Sequence, residues 1–363
     1  MDNTLPILGH GATESRTSIQ DILAHQLFPV TATARSIANS FHVSYGFPHL
    51  NQKAIGKCTA EDLCDMAKKK FGIEFSTDFT YWGGKSYDGN DYEGSSNVSM
   101  FAYSKNVGFL PASMDPGCNN SDGTYADFLA RKKAYTPEQI AAAKKYRLDQ
   151  KNGYARVADM SADGLAAALQ NSELGLIVMI QVGDNFYRPS WKKSDLELLR
   201  APNPITSGHS IKIVGQEGTG PDMILTFRNT WGDQDNPTIG QGLPIWSDDG
   251  DIRFRYSTQI PYIREAYTVY FDEVTFNHRF EMPIGYGETS AEVTALQRVL
   301  QQLGFFTLPA GVQYGHYGPV TAAAVLSFQR AHGVSPGTIE SLEGKAFGPA
   351  TRAALNAAQG LQA

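Results

Sequence analysis

The stretch HLNQKAIGKCTAEDLC, residues 49–64, holds two of the chain's three cysteines and sets Gln52 six residues ahead of Cys58. From Cys58 the texture changes. CTAEDLCDMAKKKF (58–71) has Glu61 and Asp62 in a first turn, Lys68 to Lys70 in a last turn, and Gly72 just beyond. That charge order complements a helix dipole and ends on a glycine stop, so the pattern predicts a helix that opens on a cysteine. The positive end of a helix favours thiolate over thiol. Lys57 adds to the effect and the two nearby carboxylates oppose it, so a partner imidazole has to supply most of the activation.

His209 fits that need. It leads the apolar strand HSIKIVG after the small residues of TSG, at a place a cleft can reach. Asn229 ends the next strand, ILTFRN, inside RNTWG. Adjacent strands would bring the two together, the asparagine carbonyl holding one ring nitrogen and leaving the other for sulfur. Trp231 suits a cover over that bond. Gln52, on the extended approach to the helix, offers its amide as one oxyanion donor and the Cys58 N–H is the second; such a donor is worth about 2.7–4 kcal/mol. Taken singly, each feature has a plainer explanation: a small core residue for the cysteine, a satisfied core group for the histidine, a turn for Asn-Thr-Trp-Gly. Their joint occurrence, in this order, points to a catalytic set of Cys58, His209, Asn229 and Gln52.

With these residues the chain resembles the papain-like cysteine peptidases. That family has a glutamine six residues before a nucleophilic cysteine that starts a helix, then a histidine leading a strand, then an asparagine in an NSWG motif. Gln52, Cys58, His209 and Asn229 match, with NTWG at 229–232, and Thr59-Ala60 is similar to the prokaryotic branch. EGSSNVSMFAYSKNVG resembles the family's Gly/Ser-rich substrate strip, which implies Gly94, Ser95 and Ser96 on the substrate main chain, with Gly208 and Trp231 in the same substrate-binding set. The resemblance spans about 45–275 and implies an α+β fold with a helical lobe and a β-rich lobe. Two departures stand out: Lys53 occupies a position where the family has glycine, and DQDNPTIGQGLPIW replaces a second tryptophan-glycine pair.

The rest of the chain agrees with that division. A length of 363 residues predicts more than one domain, and 42% hydrophobic with 19% charged residues is a globular composition. TPEQIAAAKKYR and SADGLAAALQNS read as capped helices; LGLIVMIQV, HSIKIVGQ, DMILTFRNTWG, DIRFRYS and AYTVYFDEV read as strands. GGKSYDGNDYEGSSN is a glycine-, aspartate- and serine-rich patch that leads into a second helical stretch, SNVSMFAYSKNVG. Residues 1–45 are an irregular leader, an N-terminal arm or a short prosegment, with one amphipathic stretch, TSIQDILAHQLF; the peptidase-like domain is 46–280.

From 281 to 363 Ala, Gly, Leu and Gln dominate. HYGPVTAAAVLSFQ at 316 and AFGPATRAALNAAQ at 346 are one unit repeated thirty residues apart, read as a turn, a threonine N-cap and a helix. This module resembles the three-helix peptidoglycan-binding domain of bacterial wall hydrolases, which implies docking on wall polymer or another glycan. Its four basic and five acidic residues suit a neutral or mixed polymer.

A net charge of −6 without a basic tract argues against nucleic acid or anionic membrane as partner, and the chain reads as a monomer acting on protein or peptide. No basic-then-apolar leader opens the sequence, although the C-terminal module suggests the cell envelope or the exterior. No cofactor or metal is expected: the acidic loops lack calcium-loop spacing and no zinc pattern occurs. Cys64 and Cys118 could be bridged or free. Three activities stay open: a protein-cleaving cysteine endopeptidase, a peptidoglycan stem-peptide endopeptidase, and an inert wall-binding protein.

Overall fold

The computed structural model describes residues 12–13, 37–53, 55–90, 92–183, 204–232, 251–272, 278–308, 314–334, 342–359 and 361. TSIQDILAHQLF and DQDNPTIGQGLPIW lie outside the described residues. The chain divides into two units, Met1–Glu273 and Val274–Ala363.

The first unit begins with β1 (Ala12–Thr13) and β2 (Ser40–His42), followed by α1 (Cys58–Phe71), α2 (Thr77–Asp88), β3 (Ser95–Ser96) and α3 (Asn97–Asn106). Short helices α4 (Tyr125–Ala130) and α5 (Pro137–Ala143) lead to β4 (Tyr154–Arg156) and α6 (Ala162–Gln170). The strands β5 (Leu176–Gly183), β6 (Ile205–Glu217), β7 (Ile224–Arg228), β8 (Asp251–Arg255) and β9 (Ile263–Val269) complete it. They form a seven-stranded antiparallel sheet in the order β4-β9-β5-β6-β7-β8, with β2 on β6.

Both faces of the sheet's centre are covered, which is why β5 is buried almost throughout. On one face Leu165, Ala166 and Leu169 of α6 pack with Val178, Ile211, Ile213 and Phe227. Ser210 and Lys212 alternate with those isoleucines along β6, so the opposite face is polar, and that face meets α1. At the far end of α1, Phe71 sets edges against Phe75, Tyr146 and Phe271 with ring centroids 5.9, 5.3 and 5.3 Å away. Pairs of this kind contribute about 0.5–1.5 kcal/mol each beyond burial.

Two elements differ from expectation. Gly83-Gly84 and the following polar residues open a glycine-rich patch in the sequence, yet as far as Asp88 they belong to α2, capped by Ser76. A Cβ on Gly83 would stand 2.0 Å from the Tyr103 ring, and one on Gly84 would stand 1.9 Å from Met100 Cε. The glycines let α2 and α3 approach, and that packing outweighs about 1 kcal/mol of lost helix propensity at each. Likewise β6 starts at Ile205, so His209 is inside the strand, opposite Ile180, and not at its start. Ser207 and Gly208 pair with Val182 and Gln181, and the pairing overrides a turn-like composition.

In the second unit β10 (Ile284–Gly285) pairs with β11 (Ala346–Phe347), around the helices α7 (Ala291–Gln302), α8 (Pro319–Ala331) and α9 (Pro349–Ala358). Val293, Leu296, Leu300, Val325, Phe328 and Leu355 are among its core residues. The repeat threonines are not N-caps; Gly318 and Gly348 hold those places. Thr321 and Thr351 instead lie one turn in and accept from Gln297 and Gln329, each at 2.8 Å. Proline already removes one of the N–H groups a cap would serve, which frees the threonine for a buried bond.

Candidate active site

Cys58 is the first residue of α1 and is fully buried. A tight approach places it: Ile55 N–H donates to Gln52 O (3.2 Å) and Lys57 N–H to Ile55 O (2.8 Å), after which Ala60 and Glu61 close the first helical turn on Lys57 O. Lys57 turns its ammonium away from the sulfur. Its Nζ lies 2.8 Å from Asp78 Oδ1, 2.9 Å from Thr77 Oγ1 and 3.1 Å from Glu61 Oε1. Glu61 is therefore compensated where the sequence alone suggested that it opposes a thiolate. The Ser210 N–H, from the residue after His209, donates to the sulfur at 3.4 Å.

His209 Nε2 lies 2.8 Å from Asn229 Oδ1. The Thr230 N–H also donates to Oδ1, at 2.8 Å, which fixes that atom as the amide oxygen. Nε2 must then carry a proton and donate, so Nδ1 is the ring nitrogen left for chemistry with sulfur. Trp231 is buried beside the imidazole, with ring centroids 5.0 Å apart at 42°. It shields the His209–Asn229 bond. A second buried histidine secures Asn229 from behind: His49 Nδ1 lies 2.9 Å from Asn229 O and its Nε2 lies 3.2 Å from Asp251.

Gln52 belongs to a short ladder with the NTWG segment. Gly232 N–H donates to Leu50 O and Gln52 N–H to Thr230 O, each at 2.9 Å, around an Asn51–Trp231 bridge. Its side chain is oriented by the Thr230 hydroxyl, which donates to Oε1 at 2.6 Å, and by Nε2 donating to Ile55 O at 3.0 Å. With the oxygen turned to Thr230, the amide presents its nitrogen on the side of the Cys58 loop. Lys53, where the resemblance leads one to expect glycine, takes φ +49°, a left-handed conformation, and its N–H donates to Asn51 Oδ1 at 3.0 Å. The loop keeps the glycine-like turn despite the substitution.

The Gly94–Ser96 strip lies across from these groups. Gly94 has φ +92°; its N–H donates to Tyr81 Oη at 3.0 Å and its carbonyl accepts from Lys85 Nζ at 2.9 Å. Ser96 caps α3 through Ser99 N–H, and Ser95 is buried. The strip is already paired: β1 runs parallel to it, with Ala12 opposite Ser95 and Thr13 opposite Ser96. Ala12 is buried against Cys58 and Met179. A Cβ on Gly208 would come within 2.1 Å of the Ala12 carbonyl, so this glycine is what admits the strand.

All three cysteines are free. Cys64 donates to Thr80 Oγ1 at 3.3 Å and burial pushes its thiol far up; burial lifts Cys118 to about 11. Neither forms thiolate near neutral pH. Sequence reasoning brought Cys58, His209, Asn229 and Gln52 to one place but missed Thr230, Ser210, His49 and Ala12. For Thr230 the signal was available, since it sits inside NTWG; for the others, only the fold brings them there.

Comparison with known proteins bears on the fold. Residues 289–338 match the family model of a peptidoglycan binding domain. No curated protein matches the chain by sequence. The crystal structure of xylellain, a cysteine protease from Xylella fastidiosa, aligns at 17% identity over 74% of this chain and 97% of its own, with a TM-score of 0.54. Procathepsin B S9 from Trypanosoma congolense aligns at 14% identity over 73% of this chain and 87% of its own, with a TM-score of 0.46. The chain thus has the papain-like cysteine protease fold, followed by a region similar to peptidoglycan binding domains.

Proposed function

We propose that the chain is a cysteine endopeptidase, held at cell wall or another glycan by residues 281–363. Cys58 Sγ gives its proton to His209 Nδ1 and attacks the peptide carbonyl carbon. The oxyanion is received by Gln52 Nε2 and the Cys58 N–H, at the positive end of α1. His209 then protonates the leaving amine, and the acyl group stays on sulfur as a thioester. Water, deprotonated by the same ring nitrogen, releases the acid and restores the thiol. Asn229 keeps the proton on Nε2 throughout, and Ser210 N–H lowers the energy of the thiolate.

The observation that carries this proposal is the fixed tautomer: Asn229 Oδ1 takes both Thr230 N–H and His209 Nε2–H, beside a sulfur that accepts from Ser210. The leader ahead of β2 would act as a short prosegment, because β1 pairs on the strip where an extended substrate would add its own strand, whereas β2 belongs to the sheet. The C-terminal module raises local concentration at a surface without touching the chemistry.

The test is a digest of denatured casein, a peptide library and purified muropeptides by wild type and Cys58→Ala in parallel, with mass spectrometry following the N-terminus. Cleavage of casein and library peptides, lost in Cys58→Ala and preceded by removal of the leader, is the expected result. Cleavage confined to muropeptides selects the stem-peptide endopeptidase that the 289–338 match favours. Full activity with the leader intact makes it an arm. No cleavage, together with no Cys58 labelling by an epoxide warhead, leaves a wall-binding protein.

A further inference from the structure

Cys58, Asp62 and Asp65 are spaced by four and three residues, so one stripe of α1 carries the sulfur and two carboxylates. All three are buried. Facing them are two cations from the strands that supply the other catalytic groups. Lys212, three residues after His209, sets Nζ 2.6 Å from Asp62 Oδ1 and 3.3 Å from Asp65 Oδ2. Arg228, immediately before Asn229, sets Nε 2.8 Å from the same Asp65 oxygen. Its Nη2 donates to Phe47 O at 3.0 Å and Pro48 O at 3.1 Å, just upstream of Gln52. Lys212 and Asp62 have no exposed surface at all.

Buried ions of this kind are a poor source of stability, because well-packed apolar residues of similar volume do as well or better. Their distinguishing property is direction. In a low-dielectric interior a charged hydrogen bond near 2.6 Å tolerates little sliding or rotation of α1 against β6 and β7. The two carboxylates and two cations also sum to zero charge, so they add no net charge beside a thiolate–imidazolium pair. What they fix is position. Each member is within two helical turns or a few strand residues of a group that acts in the reaction.

We propose that the Asp62–Lys212–Asp65–Arg228 seam sets the sulfur of Cys58 against the imidazole of His209 and aligns the loop that carries Gln52, making its four members positioning residues. This rests on the peptidase function proposed above. The seam joins α1 to β6 and β7 through three ion contacts, and no other buried ion pair among the described residues joins that helix to those strands. Lys57, on the other flank, ties α1 to α2.

The experiment replaces the Asp62–Lys212 pair by apolar residues, as the double variant Asp62→Leu/Lys212→Met in the full chain, with Lys212→Arg as a charge-conserving variant that moves the ammonium. Three quantities are read: Tm, kcat and KM on a peptide substrate, and the rate of Cys58 alkylation by iodoacetamide at about pH 5.5. There an ordinary thiol of pKa about 8.5 is almost wholly protonated, so reaction reports the activated pair. Mass mapping separates Cys58 from Cys64 and Cys118.

The double variant is expected to keep wild-type Tm while kcat and acid-range alkylation fall about 100-fold, the loss typical of a 1 Å misplacement, with KM little changed. Lys212→Arg, also folded, is expected to show the same split to a smaller degree. Wild-type kcat and alkylation in a folded double variant, or in Lys212→Arg should the double variant not fold, would overturn the positioning role and leave the seam structural. A wild-type chain that, with its leader removed, alkylates no faster at Cys58 than at Cys118 and cleaves nothing would overturn the peptidase function itself, a result these variants cannot mimic.

Discussion

Helices α1 and α7 are both buried, by opposite means. α1 buries Glu61, Asp62 and Asp65 along with its apolar residues, whereas α7 buries Val293, Ala295, Leu296, Val299 and Leu300 with Gln297 as its one buried amide. Two of these acids find their cations far along the chain, 150 residues away for Asp62 and 163 for Asp65, while Glu61 pairs with Lys57 one turn before it. Gln297 finds its threonine within 24. A helix whose placement depends on charges from a distant sheet can be held only in the finished fold. The C-terminal helices carry nearly everything they need in one repeat.

The strongest way to break that contrast is to remove one long-range cation. Arg228→Met leaves Asp65 buried with Lys212 alone and is expected to destabilise the first unit by about 3–5 kcal/mol. The effect depends on pH in a defined direction. Burial alone would raise the Asp65 carboxyl, but Arg228 and Lys212 together hold it below the usual carboxylate range. In wild type its contribution is therefore fully present above about pH 3.9 and is lost as pH falls through the lower folded value. Without Arg228, burial dominates and the variant takes up that proton at higher pH. Denaturation curves should show the gap widest near neutrality and narrowing toward acid; a gap independent of pH would mean that Asp65 is not the group involved.

Buried glutamines sharpen the comparison. Gln52 is anchored by Thr230 and Ile55 beside the sulfur, while Gln297 and Gln329 tie their helices to the next turn. Gln52→Ala is expected to lower kcat by the equivalent of about 2.7–4 kcal/mol, with Tm little altered. Equal losses in kcat and Tm would make it a structural amide. Gln329→Ala is expected to do the reverse, destabilising the second unit by about 1–3 kcal/mol with kcat unchanged. Gln297→Ala should cost more than Gln329→Ala, because Gln297 Oε1 also accepts from Gly315 N–H at 2.7 Å whereas Gln329 Oε1 has no hydrogen-bond partner among the described residues.

These same residues show what could be read in advance. The strands from 176 to 269 and the C-terminal helices were legible because their periods of 2 and 3.6 are local and survive any tertiary context. The candidate quartet was legible as a pattern because its residue types and offsets occur together: a glutamine six before a cysteine, a histidine on a strand, NTWG after the next. The seam was not. Nothing local distinguishes Lys212 in an apolar strand from a lysine at a sheet edge, or Asp62 in a first turn from an ordinary dipole-matching acid. Glycines 83 and 84 misled for the same reason, since the Tyr103 and Met100 side chains that justify them lie on another helix. Gln297 and Gln329 were not legible either: each is followed by arginine, and nothing local shows that the amide is buried.

Lys53 offers the smallest effect and the finest test of how far the site depends on local backbone. Its φ of +49° puts an L side chain in the left-handed region, at a penalty of about 1 kcal/mol. The lysine recovers part of that through an exposed ion pair with Asp122, a class of contact worth about 0–1 kcal/mol. Lys53→Gly removes the strain and the ion pair together and adds freedom to the unfolded chain, so the net change expected is a stabilisation of no more than about 1 kcal/mol. Because Gln52 is held by Thr230 and the NTWG ladder and not by its neighbour's side chain, kcat should stay at the wild-type value. A fall in kcat without a fall in Tm would show that the lysine, not the ladder, sets the oxyanion loop, and would move part of the site's precision from distant contacts back to the local chain.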